Sequence, residues 1–110
     1  MKIKKLVEYF KYLADEYGMN LIEKYLKGSF PYVIWSNGKK NIKVVFDYTD
    51  DKPMHIFVYD SDDFAMYSYK EFADELKYRS KSDKDIDGDI EYAARKFYEL
   101  LKQDNRIITA

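Results

Sequence analysis

The sequence predicts an α+β domain, a three-stranded antiparallel β-meander with helices packed on one face, in the order α-α-β-β-β-α-α. Three observations carry this reading. Apolar residues recur at helical spacing towards both ends of the chain, the period changes to two from Pro31, and Asn37-Gly38 divides that middle region as a hairpin turn would. The 110 residues form one domain, 1–110, and a composition of 46% hydrophobic and 35% charged residues is that of a folded chain.

Ile3, Leu6, Val7, Phe10, Leu13, Ala14 and Tyr17 place one apolar stripe on a helix of residues 2–17. Gly18 suits its end, because glycine accepts positive φ. Asn20 and Glu23 then have capping-box spacing. Leu21, Ile22, Tyr25 and Leu26 read as a two-turn helix ending at Gly28, with a strand over 20–27 as the alternative.

"PYVIWS" and "KKNIKVVFDY" are the arms of the hairpin. A two-residue Asn37-Gly38 turn sets Ser36 against Lys39 and Val33 against Ile42. One side then carries Val33, Trp35, Ile42, Val44, Phe46 and Tyr48 and is the core side. The other carries Tyr32, Ile34, Asn41, Lys43, Val45 and Asp47. "DDKP" makes a turn and "MHIFVYD" a third strand. Ser68 and Glu71 form a second capping box, for a helix over 69–79 that buries Phe72, Ala73 and Leu76. The last helix carries Ile90, Ala93, Ala94, Phe97 and Leu101 and frays near Asn105.

Much chemistry is excluded by composition. With no cysteine there is no disulfide, thiol nucleophile or cysteine zinc site. His55 is the only histidine, which rules out a site of several imidazoles, and it reads as a strand residue. The four glycines lie too far apart to cradle a phosphate. No apolar run spans a bilayer, and Glu8, Lys11, Asp15 and Glu16 interrupt the start, so a signal peptide is not expected. A non-catalytic cytoplasmic protein without a membrane partner follows as the expectation.

One stretch has a specific chemical reading, "SDKDIDGDIEYA". Counted from Asp83, it resembles the EF-hand calcium loop, with Asp83 at position 1, Asp85 at 3, Asp87 at 5, Gly88 at 6 and Ile90 at 8. Position 12 is Ala94, where that loop has its bidentate glutamate. Aspartates also satisfy the free amides at a helix start, and that is the favoured reading. Asp83, Asp85 and Asp87 are therefore a candidate set for weak calcium binding, and no other cofactor is implied. Asp47, Asp50 and Asp51, like Asp60, Asp62 and Asp63, sit at strand ends and could hold a metal or act as paired carboxylates, with solvated turns as the favoured reading.

The charge is unevenly placed, about +5 over residues 1–46, −8 over 47–91 and +2 over 92–110. Lys39, Lys40 and Lys43 around Trp35 and Tyr32 suggest a grip on single-stranded nucleic acid as one alternative. The pI near 5.8 argues against it. Aromatic residues make 18% of the chain, twelve of them tyrosines, a composition suited to protein interfaces. The leading expectation is a stoichiometric protein binder. Its contact surface is the outer sheet face with Tyr32, Ile34, Lys43 and Val45, joined by His55, Phe57 and Tyr59 of the third strand or, if that strand is shifted by one, by Ile56 and Val58. The partner is a second copy or a foreign protein. In size and composition alone the chain resembles the general type of bacterial immunity proteins and phage-encoded inhibitors.

Overall fold

A computed structural model describes residues 2–72 and 86–109. The sheet has five strands, not three: β1 (Asn20–Tyr25), β2 (Tyr32–Ser36), β3 (Lys40–Phe46), β4 (Met54–Asp60) and β5 (Lys70–Glu71). They are antiparallel and lie in sequence order, β1-β2-β3-β4-β5. A helical segment precedes the sheet and another follows it, so the expected α-α-β-β-β-α-α order does not hold.

Residues 20–27 take the strand alternative. Every residue of β1 is exposed, so it has no stripe for a helix to bury. What it offers instead is a backbone partner for β2, four of whose five residues are buried. The second misread helix begins with β5. Lys70 pairs with Val58 and Glu71 with Phe57, and the Phe72 N–H donates to the Ile56 carbonyl at 2.9 Å. Ser68 caps no helix, because its N–H and hydroxyl both donate to the Asp63 carboxylate. Residues 73–79 of that expected helix, with Ala73 and Leu76, lie outside the described residues.

The hairpin keeps its faces but not its register. Asn41 lies opposite Ser36, Ile42 opposite Trp35 and Lys43 opposite Ile34. The turn has moved one residue along, onto Gly38 and Lys39. Gly38 has φ +87, whereas Asn37 has no positive φ. Asn37 is held elsewhere by its side chain. Its Oδ1 accepts the N–H groups of Lys39 (2.9 Å) and Lys40 (2.7 Å), and its Nδ2 donates to the Ile108 carbonyl (2.8 Å). A shift of two residues preserves the pleat, so Val33, Trp35, Ile42, Val44 and Phe46 still face the core.

The N-terminal stripe holds, although its helix is broken. A 3₁₀ turn (Lys2–Lys4) leads into α1 (Lys5–Tyr9) and α2 (Tyr12–Asp15). Between them the Leu13 N–H reaches back only three residues, to Phe10. Ile3, Leu6, Phe10 and Leu13 are buried all the same. Gly18 ends the segment at φ +66, its N–H on the Ala14 carbonyl.

Helix α3 (Ile86–Gln103) buries the whole predicted stripe from Ile90 to Leu101. The expected fraying near Asn105 is replaced by a short helix, α4 (Arg106–Thr109), which buries Ile108. Both lysine and asparagine of the hairpin turn hold α4, with Lys39 Nζ 2.7 Å from the Thr109 carbonyl oxygen. Helices and inner sheet face share one core, in which Phe72 meets Phe97 edge-on at 5.6 Å.

Tyrosines stitch the helical layer. Tyr12 donates to the Ala94 carbonyl (2.7 Å), Tyr9 to the Asp87 carboxylate (3.0 Å) and Tyr98 to Glu16 (2.8 Å). Burial pushes the Tyr12 phenol well above its ordinary range.

Candidate interaction surface

The pairing register brings Tyr32, Ile34, Lys43, Val45, Phe57 and Tyr59 onto the outer face of the sheet. Tyr32 lies opposite Val45, Ile34 opposite Lys43, and Lys43 opposite Phe57, while Tyr59 lies opposite Asn41. Their exposure differs. Ile34 and Tyr59 retain only 9% and 6% of their surface, so they support the face from beneath. Tyr32, Lys43, Val45 and Phe57 are half-buried and are the accessible part of that set.

Three of these residues, Tyr32, Lys43 and Phe57, are held by neighbours. Lys43 Nζ sits 4.4 Å above the Tyr32 ring, and the Tyr32 hydroxyl donates to Glu23. Phe57 is flanked by the near-parallel ring of His55 and by Tyr69, which meets it edge-on at 5.5 Å.

Tyr69 leads to a feature that sequence reasoning missed. Residues 61–69 form a loop that carries Phe64 at 96% exposure, Tyr67 at 91% and Tyr69 at 52%. The loop is built around Asp63. Its carboxylate accepts the Ser68 N–H (2.8 Å) and hydroxyl (2.9 Å), and these bonds with neighbouring amides hold its pKa below the ordinary aspartate value. Met66 adopts φ 58, a left-handed conformation uncommon outside glycine. The loop's start is tied to the hairpin turn, where Ser61 donates from its N–H to Lys39 O and from its hydroxyl to Gly38 O. In the sequence, the available signal was three aromatics among aspartates and serines with neither a period of two nor one of 3.6. The Ser68/Glu71 spacing masked it.

At the opposite side of the sheet, β1 exposes Ile22 and Tyr25, with Phe30 in the loop that follows. A bulge between Leu21 and Glu23 interrupts its pairing with β2.

The nucleic-acid constellation is not assembled. Trp35 lies in the core, on the face opposite Tyr32 and Lys43, and cannot stack on a base. Lys40 pairs with Asp60, and Lys39 reaches the Thr109 carbonyl.

The calcium-loop frame fares no better from its fourth position onward. Residues 86–94 are helical, Asp87 is in the first turn of α3 and Gly88 has no positive φ. Asp83 and Asp85 lie outside the described residues. Among the described residues, one group could hold a metal: an oxygen each of Asp47 and Asp50 and a ring nitrogen of His55 lie within 4.8 Å of one another.

Among the described residues no helix is long and apolar enough to cross a membrane. No protein-family model matches the chain, and neither a curated protein nor a solved structure is significantly similar to it.

Proposed function

We propose that this small α+β domain is a non-catalytic, cytoplasmic protein-binding module, a stoichiometric binder or inhibitor of another protein. Its contact surface joins the 61–69 loop to the outer sheet face through the Tyr69–Phe57 contact. The observation that carries the reading is the near-complete exposure of Phe64 and Tyr67 on a loop whose backbone is tied down. Water-exposed aromatic rings contribute nothing to the core, and rings carried on a tied-down backbone lose less entropy on burial by a partner than rings on a loose one. Such residues are typical interface anchors, each worth about 2 kcal/mol or more of binding.

A foreign partner is favoured over a second copy through β1. The bulge beside Ile22 and the charges of Glu23 and Lys24 are devices that blunt strand-to-strand pairing at a sheet edge.

The test is affinity capture from the native host with the wild-type protein and with Phe64→Ser/Tyr67→Ser. It is followed by calorimetry on whichever purified protein only the wild type retains. The reading expects 1:1 binding that the double variant weakens at least thirtyfold. It fails if both forms retain the same proteins with equal affinity, or if the isolated protein self-associates and the double variant does so equally.

A further inference from the structure

We propose that Asp47, Asp50 and His55 form a binding site for one divalent transition-metal ion of the zinc type, with Glu71 orienting the imidazole. Three segments build it. Asp47 follows the last residue of β3, His55 is the second residue of β4, and the β3–β4 turn folds Asp50 back between them. The Asp47 N–H donates to the Pro53 carbonyl at 2.7 Å and closes that turn.

One oxygen of each aspartate is already committed. Asp47 Oδ1 accepts the Thr49 N–H (2.8 Å) and hydroxyl (2.6 Å), and Asp50 Oδ1 accepts the Lys52 N–H (3.0 Å). These bonds fix the carboxylates, and Asp50 Oδ2 comes to rest 3.2 Å from His55 Nε2. Two ligands on one tetrahedral zinc, each about 2.1 Å from the ion, are about 3.4 Å apart. The Asp50–His55 spacing matches that value, and Asp47 offers an oxygen within 4.8 Å of both.

The histidine supplies the independent argument. Its Nε2 faces Asp50, while its Nδ1 faces Glu71, on another strand, at 3.4 Å. A cation between Nε2, Asp50 and Asp47 would take the Nε2 lone pair, which places the ring's one N–H on Nδ1. Glu71 then accepts the remaining Nδ1–H, which is how metal-bound histidines are commonly oriented. The Phe57 ring lies near-parallel to the imidazole, tilted 14° at a centroid distance of 6.3 Å.

One nitrogen and two carboxylate oxygens favour zinc-like ions over calcium and magnesium, which prefer all-oxygen shells. The His55 side chain retains 24% exposure, which leaves room for water to complete the coordination.

The experiment is calorimetric titration of the chelator-treated full chain with ZnCl2, and separately with CaCl2, with far-UV circular dichroism on each variant. One zinc ion should bind, calcium should bind at least tenfold more weakly, and His55→Gln should abolish zinc binding. Asp50→Asn should weaken it at least tenfold, and Glu71→Gln by ten- to a hundredfold, the usual effect of removing an orienting carboxylate. Zinc binding that survives unchanged in folded His55→Gln, no binding by the wild type, or calcium bound as tightly as zinc would each overturn the assignment. Asp50→Asn and Glu71→Gln decide the matter if His55→Gln does not fold.

Discussion

Tyr12 and Tyr67 are the same residue type in opposite circumstances. Tyr12 is wedged between the two helical segments, its hydroxyl on the Ala94 carbonyl and its ring edge-on to Tyr98 at 4.9 Å. Tyr67 stands almost wholly in water beside Phe64. The contrast teaches that aromatic richness in this chain is two populations. One joins helices across a small core, and the other is displayed by a loop that contributes little to that core. Stability and binding should therefore separate by region.

The largest effect should come from the helical layer. Phe97→Ala empties a fully buried position against Phe72 and is expected to lower stability by about 3–5 kcal/mol, read by urea denaturation. A loss below 1 kcal/mol would show that the layer is loosely packed and would erase the contrast.

Tyr12→Phe keeps the ring and removes one buried hydrogen bond, so about 1 kcal/mol should be lost in the same assay.

The loop's own order should respond to acid. Asp63 has a lowered folded-state pKa, so its contribution is present above the ordinary aspartate value of 3.8 and is lost as pH falls through the lower folded value. The Ser68 amide resonance should accordingly titrate with a midpoint below 3.8. A midpoint at or above that value would mean that the Asp63–Ser68 bonds do not hold the loop in solution.

The smallest effect belongs to the tip. Phe64→Ala should change stability by less than about 0.5 kcal/mol, because its ring touches almost nothing. A larger loss would move Phe64 into the structural population and remove the main support for the interaction surface.

What could be read from sequence follows from burial. The stripes of residues 2–17 and 86–103 and the two faces of the hairpin were legible because core contact imposes a period on the residues it selects. β1 was not, since a strand exposed at every position has no such selection acting on it. The hairpin register depended on Asn37 using its amide side chain on Lys39, Lys40 and the distant Ile108, which no dipeptide rule contains. Ser68 was misread because its partner proved to be Asp63 rather than a helix amide. That Tyr32, Ile34, Lys43 and Val45 share a face followed from alternation, whereas the choice of Phe57 and Tyr59 over Ile56 and Val58, and the approach of His55 to Asp47 and Asp50, required knowing how β3, β4 and β5 lie together.

The sequential order of the strands also bears on how the chain folds. Each strand needs only the one before it, so the sheet can zip up through short closures. The Tyr9–Asp87 and Tyr12–Ala94 bonds instead join residues 78 and 82 positions apart. Closing a loop tenfold longer carries an added entropy cost of about 2 kcal/mol. Those clasps therefore form after the meander has shortened the path between the two ends. Substitutions in the helical layer, which holds many of the largest buried side chains, are therefore expected to speed unfolding more than they slow folding.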